Sequence, residues 1–113
     1  MTRFCDREIA AVTIENIISD KLSASHRYGS GNTRMKDFDD LWRISKSTAT
    51  GVNWPELKKS LTNRNIEGKL DPSWVTANMT QAWKNHIARN RGLPEDLLIL
   101  MNEVNSWLQR GLM

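Results

Sequence analysis

The chain has 113 residues, a length for one domain that buries roughly two-thirds of its unfolded surface and holds a modest core without covalent staples. Hydrophobic residues make up 39% and charged residues 26%, which excludes wholesale disorder, and a single cysteine, Cys5, excludes an internal disulfide and a Cys-rich zinc site. The net charge is +3, with basic and acidic side chains spread evenly, so a polyanionic partner is permitted but not demanded.

The longest apolar run, Leu97 to Met101, has five residues, far short of the roughly 18–20 that a membrane span needs. The first eight residues are rich in charge and do not read as a signal peptide. The expectation is a cytoplasmic protein with no membrane partner.

Apolar spacings of three and four dominate, and no internal repeat or low-complexity tract interrupts them. Residues 1–12 have no clear period and read as an irregular lead-in or a stray strand. A first helix is predicted from Ile14 to about Tyr28, with Thr13 as its cap and the Gly29-Ser30-Gly31-Asn32 stretch as its stop. A second runs from about Thr33 to Lys46, capped by Asn32 or Thr33, with Met35, Phe38, Leu41 and Trp42 as its apolar stripe. Asn53-Trp54-Pro55-Glu56 has the form of a capping box, and Leu57 and Leu61 give the helix that follows one buried edge. Asn63 to Asp71 is polar and is predicted as loop, and Asp71-Pro72-Ser73-Trp74 as a turn or short helix. Another helix is expected from about Met79 to Asn90, ended by Gly92. Pro94 opens the last one, where Glu95 and Asp96 complement the positive end. The predicted architecture is all-α: one domain over 1–113, a compact array of five or six helices with short loops.

On a wheel of about 100° per residue, Ile14, Ile17, Ile18 and Tyr28 share a narrow sector of the first helix, and Lys21 falls among them. An ammonium in a buried stripe needs a carboxylate or an anionic ligand. The second helix begins Arg34-Met35-Lys36-Asp37-Phe38-Asp39-Asp40-Leu41, and a short glycine-bearing loop should pack the two helices antiparallel. Lys21 would then face Asp37, with Asp40 further round. One reading is structural: Lys21 pairs with Asp37 to fix the hairpin, and Asp39 and Asp40 are solvated. The other is a phosphate-handling site, with Lys as a point charge on a triphosphate, a carboxylate as base or metal-positioning group, and Arg neutralising developing charge.

These two segments, Ile14-Glu15-Asn16-Ile17-Ile18-Ser19-Asp20-Lys21-Leu22 and Asn32-Thr33-Arg34-Met35-Lys36-Asp37-Phe38-Asp39-Asp40-Leu41-Trp42, resemble the paired motifs of the AbiEii/AbiGii nucleotidyltransferase toxins. The resemblance extends over about residues 12–110, through Leu57 to Arg64, Trp83 to His86 and Leu93-Pro94 onward. It implies that Lys21 contacts nucleotide phosphate, that Asp37 is the catalytic carboxylate, and that Arg34, Lys36 and Asp40 shape the site. It also implies Mg²⁺ and a nucleoside triphosphate, a toxin–antitoxin or phage-defence setting, an antitoxin partner and, as in some members, tRNA ends as acceptor.

One departure stands out. Members of that family carry a polymerase-β-like core with a D-x-D pair ahead of these motifs. Here no Asp-x-Asp precedes Lys21, and no glycine precedes Gly29; Asp20 also replaces the usual glutamate. The sequence therefore reads as the C-terminal helical part alone, with no metal cage of its own and little or no transferase activity by itself. A face left without its partner half should be exposed and should drive self-association or binding to a separate N-terminal half. Two other classes stay open: a helical protein-interaction module descended from that family, and a small RNA-binding protein using the mild positive charge.

The remaining chemistry-bearing residues read as structural. His26 and His86 have no companions at ligand spacing, and His86 is expected to be a partly buried packing residue. Cys5 reads as a free thiol, the Gly-Ser-Gly-Asn stretch as a plain helix–helix turn, and the five tryptophans as packing residues. Lys58-Lys59, Arg89 and Arg91 read as solvated faces.

Overall fold

The computed structural model describes residues 13–31, 34–47 and 51–112; the expectation of an irregular lead-in or a stray strand over residues 1–12, and Cys5, lie outside them. Among the described residues, five α-helices follow one another: α1 Ile14–Tyr28, α2 Met35–Lys46, α3 Trp54–Arg64, α4 Ala77–Arg89 and α5 Leu97–Leu112. Short 3₁₀ turns lie at Gly29–Gly31 and Pro72–Trp74. No strand occurs among the described residues, so the fold is all-α as expected.

Local chemistry sets the helix ends. Thr13 Oγ1 accepts from Asn16 N and starts α1. Gly29 ends it at φ 50°, a conformation that an L side chain rarely adopts, and returns its N–H to Ser25 O. The residue at the N-cap of α2 is Arg34, which makes no side-chain cap bond; Asn32 and Thr33, the expected caps, lie outside the described residues. Asn53 caps α3 by accepting from Glu56 N, while the reciprocal half of the box is supplied from α1, where Glu15 Oε2 accepts from Asn53 N at 2.9 Å. The α3 helix runs on to Arg64, further than its polar composition predicts, because Asn65 closes it in the left-handed conformation. Thr76 caps α4, which starts at Ala77, two residues before the expected Met79. Pro94 does not open α5. Its carbonyl accepts from Trp83 Nε1, and Asp96 caps the helix instead, accepting from Leu98 N on Oδ1 and from Leu100 N on its carbonyl.

The core joins all five helices through Ile18, Leu22, Phe38, Leu41, Leu57, Met79, Trp83, Leu100, Met101, Val104 and Leu108, each of them buried. The α1 helix packs on α2 and α3, and α5 closes the other side against the same two helices. The α4 helix covers the remaining face of α2. Asn105 of α5 pins the connection before the second 3₁₀ turn, donating to Leu70 O and accepting from Leu70 N, both at 2.7 Å. At the far end of the bundle Trp54 meets Trp107 edge-on with ring centres 5.0 Å apart.

Candidate functional site

Helix α2 is the only one of the five with three acids in a row of four, and its packing splits them onto two faces. Asp37 and Asp40, three residues apart, face α1. Asp39 faces α4. The α1–α2 contacts run in opposite chain senses: Arg34 lies beside Tyr28 near the turn, and Asp37 and Asp40 lie beside Lys21 further from it. This is the predicted antiparallel hairpin.

On the first face, Lys21 Nζ is 2.7 Å from Asp40 Oδ2 and 3.6 Å from Asp37 Oδ1. The nearer partner is thus Asp40, not Asp37 as the wheel suggested, and Asp40 is not simply solvated. The Lys21 side chain is 21% exposed, so it lies at the edge of the stripe and not in its middle. Arg34 Nε approaches Asp37 Oδ2 to 3.6 Å, and Lys36 Nζ approaches Asp40 Oδ1 to 3.6 Å. Asp37 is only 6% exposed, and its Oδ2 accepts no hydrogen bond from a described residue. A buried carboxylate oxygen held only by looser charge contacts is a costly arrangement for stability alone. All five motif residues therefore converge on one rim of the α1–α2 hairpin, with three cations around two carboxylates.

Tyr28 also stands on this rim. It is 44% exposed, against the buried position expected for it. It is the last residue of its helix, and the chain leaves the helical path in the 3₁₀ turn at Gly29–Gly31. Arg34 Cζ lies 5.6 Å from the centre of its ring.

The second face was missed by the sequence reading, which left Asp39 in solvent. Asp39 is 5% exposed. His86 Nε2 donates to its Oδ2 at 2.7 Å, and Arg43 Nε donates to Oδ1. His86 stacks on Trp83 with ring centres 5.4 Å apart, so its expected packing role holds, and Arg43 reaches on to the carbonyl of Arg91. The available signal was register: Asp39 follows the buried Met35 by four residues and must share its face.

A recess of about 410 Å³ lies on the opposite side of α1, lined by residues such as Thr13, Glu15, Lys59 and Arg64. None of Lys21, Arg34, Lys36, Asp37 and Asp40 lines it. Arg64 pairs there with Asp20 at 2.6 Å, so the acid that precedes Lys21 points away from the Lys21 rim.

A sequence-family profile described as "Nucleotidyl transferase AbiEii toxin, Type IV TA system" matches residues 2–110, nearly the whole chain. The chain belongs to the AbiEii family. Comparison with curated proteins and with solved structures gives no match. Membership agrees with the two motif segments in α1 and α2, and it makes the chain a member of a toxin–antitoxin-related nucleotidyltransferase family. No described helix is long and apolar enough to cross a membrane.

The residues on the Lys21 rim suit an anion better than a metal. For Mg²⁺ a site needs oxygen ligands converging on one point. Asp37 and Asp40 offer two carboxylates, but the Lys21 ammonium already stands against both. Among the described residues no group of three or more His, Cys, Asp or Glu side chains converges as a metal site. For a polyphosphate the rim offers one half-buried ammonium and two more exposed cations, Arg34 and Lys36.

Proposed function

We propose that this AbiEii-family chain handles the phosphates of a nucleoside triphosphate on the α1–α2 rim. The observation that carries this reading is the Lys21 ammonium held against both Asp37 and Asp40. Lys21 gives the phosphates a point charge, and Arg34 and Lys36 add two more. Asp37, poorly hydrogen-bonded and nearly buried, serves as the carboxylate that takes the acceptor's proton, and Asp40 holds Lys21 in place. Asp40 releases part of that ammonium when phosphate arrives.

The transfer of a nucleotidyl group normally draws on metal-holding carboxylates. The Lys21 rim does not fit that task, because the ammonium already stands against both of its carboxylates. We propose that the residues described here bind and orient, depend on a further carboxylate set for transfer, and are inactive without it. An antitoxin, a tRNA end as acceptor, a phage-defence setting and a cytoplasmic location belong to the same reading.

The test is a thermal-shift titration with Mg²⁺ and each nucleoside triphosphate, comparing the wild-type chain with Lys21→Ala. A ligand that binds only the folded state raises the melting point, with about 2.7 kcal/mol of stabilisation at a hundredfold excess over Kd. The expected result is a rise for the wild type that Lys21→Ala abolishes. A rise of equal size in both would remove Lys21 from the site.

A second reading, an interaction module, has its own observation. Leu98 and Ile99 are neighbours on the first turn of α5 and both are exposed. Concentration-dependent self-association that Leu98→Ser plus Ile99→Ser abolishes, with no response to any nucleotide, would favour that reading over the first.

A further inference from the structure

The phosphate reading leaves the exposed ring of Tyr28 without a role. Tyr28 is the chain's one tyrosine and stands seven residues after Lys21 on the same helix. Seven residues are two turns, so the two side chains project from one face about 10.5 Å apart along the axis. That is comparable to the span from a nucleobase to the outer phosphates of an extended nucleotide.

Arg34 fills the interval. Its Nε lies 3.6 Å from Asp37 Oδ2, and its Cζ lies 5.6 Å from the Tyr28 ring centre. One guanidinium thus touches both the carboxylate end and the aromatic end of the rim. The backbone under Tyr28 is also fixed. Gly29 packs against Trp74, which would lie 3.7 Å from a Cβ added there. His26 meets the same Trp74 edge-on at 5.0 Å and donates from Nε2 to Lys69 O at 2.9 Å. The helix end is therefore tied down on one side while the tyrosine ring stands 44% exposed on the other. Internal packing does not call for this: the other aromatic rings of the helices are buried or half-buried.

We propose that Tyr28 is the base-stacking residue of the nucleotide site, with Arg34 lying between base and phosphates. This rests on the phosphate reading of the Lys21 rim and assigns it an aromatic end. The base lies on the exposed part of the Tyr28 ring, where stacking needs only a π-face and no hydrogen-bonding edge. Arg34 extends that surface as a flat cation and carries the chain of contacts to the phosphates. Tyr28 is a binding residue that sets preference for nucleotide over bare polyphosphate.

The experiment compares two ligands, ATP and inorganic tripolyphosphate, each with Mg²⁺, by calorimetric titration of the wild type, Tyr28→Ala, Tyr28→Phe and Lys21→Ala. Circular dichroism of each variant verifies that the helices are kept. The expected result is that Tyr28→Ala weakens ATP roughly tenfold or more, the size of one base–aromatic stack. Tripolyphosphate binding stays unchanged in that variant, and Tyr28→Phe, which keeps the ring, stays within about twofold of wild type for ATP. Equal binding of ATP by wild type and Tyr28→Ala would overturn the proposal. So would a parallel loss of both ligands in Tyr28→Ala, or a Tyr28→Phe as weak as Tyr28→Ala. Lys21→Ala should weaken both ligands together. If it weakens neither while Tyr28→Ala weakens ATP alone, the phosphate reading fails and the stacking residue stands. A wild type that binds neither ligand overturns both.

Discussion

Asp37 and Asp39 are two residues apart on one helix and almost equally buried, yet their surroundings are opposite. Asp39 is saturated: His86 and Arg43 each donate to one of its oxygens, and Arg43 continues to the carbonyl of Arg91. Asp37 has one oxygen that accepts no hydrogen bond from a described residue, and two cations at 3.6 Å. A carboxylate satisfied on both oxygens by neighbouring elements locks those elements together. A buried carboxylate oxygen that accepts no hydrogen bond from a described residue is left available to something else. The same residue type on the same helix thus serves a structural tie on the α4 face and a candidate site on the α1 face.

The comparison breaks most cleanly at Asp39. Asp39→Ala strips His86 and Arg43 of their shared acceptor at the α2–α4 contact, and urea unfolding should show a loss of about 2–3 kcal/mol. A loss below half a kcal/mol would mean the tie is ornamental. Asp37→Asn should behave in the opposite way. Removing a nearly buried charge with an unsatisfied oxygen leaves the melting point unchanged or raises it, while the nucleotide-dependent shift disappears. A marked drop in stability would make Asp37 a second structural tie and weaken its candidacy as the site carboxylate.

A smaller effect sharpens the contrast through a third acid. Glu103 of α5 accepts from Trp42 Nε1 at 3.0 Å and pairs with Lys46 at 2.7 Å. The Lys46 contact, followed by the Trp42 hydrogen bond, holds its carboxyl below the ordinary glutamate value of 4.5. A carboxyl with a depressed folded-state pKa contributes stability that is fully present above its unfolded value and is lost as pH falls through the folded one. Glu103 is partly exposed, so solvent screening keeps this contribution below about 1 kcal/mol. The wild type should therefore lose more stability than Glu103→Gln between pH 6 and pH 3, measured by parallel denaturant titrations. Equal losses would show that the α2–α5 link is carried by the core beneath it.

The smallest expected effect is at Lys36, whose amine is largely exposed. Lys36→Ala should change stability by less than about 0.5 kcal/mol, as for exposed i, i+4 pairs. It should still weaken tripolyphosphate binding if the amine swings to the phosphates. An unchanged affinity would confine the phosphate contacts to Lys21 and Arg34.

Much of this molecule was legible in one dimension. Spacings of three and four gave the helices, because a buried face must repeat with the helical turn. Thr13, Asn53 and the glycine after Tyr28 marked ends, because caps depend on side chains a few residues away. The segments around Lys21 and Arg34 to Asp40 pointed to the AbiEii family and to one shared rim. What the sequence left open involved partners distant in the chain. Asp39 meets His86 across 47 residues, and Asn53 completes its capping box with Glu15 across 38. Lys21 lies closer to Asp40 than to Asp37 because the offset between two packed helices is set by the core side chains between them, not by either helix alone. Tyr28 falls outside the buried stripe because the chain turns away at Gly29, and a wheel drawn for an endless helix has no ends. Helical periodicity is a property of the backbone and can be read residue by residue. The company an acid keeps is decided only when another helix arrives beside it.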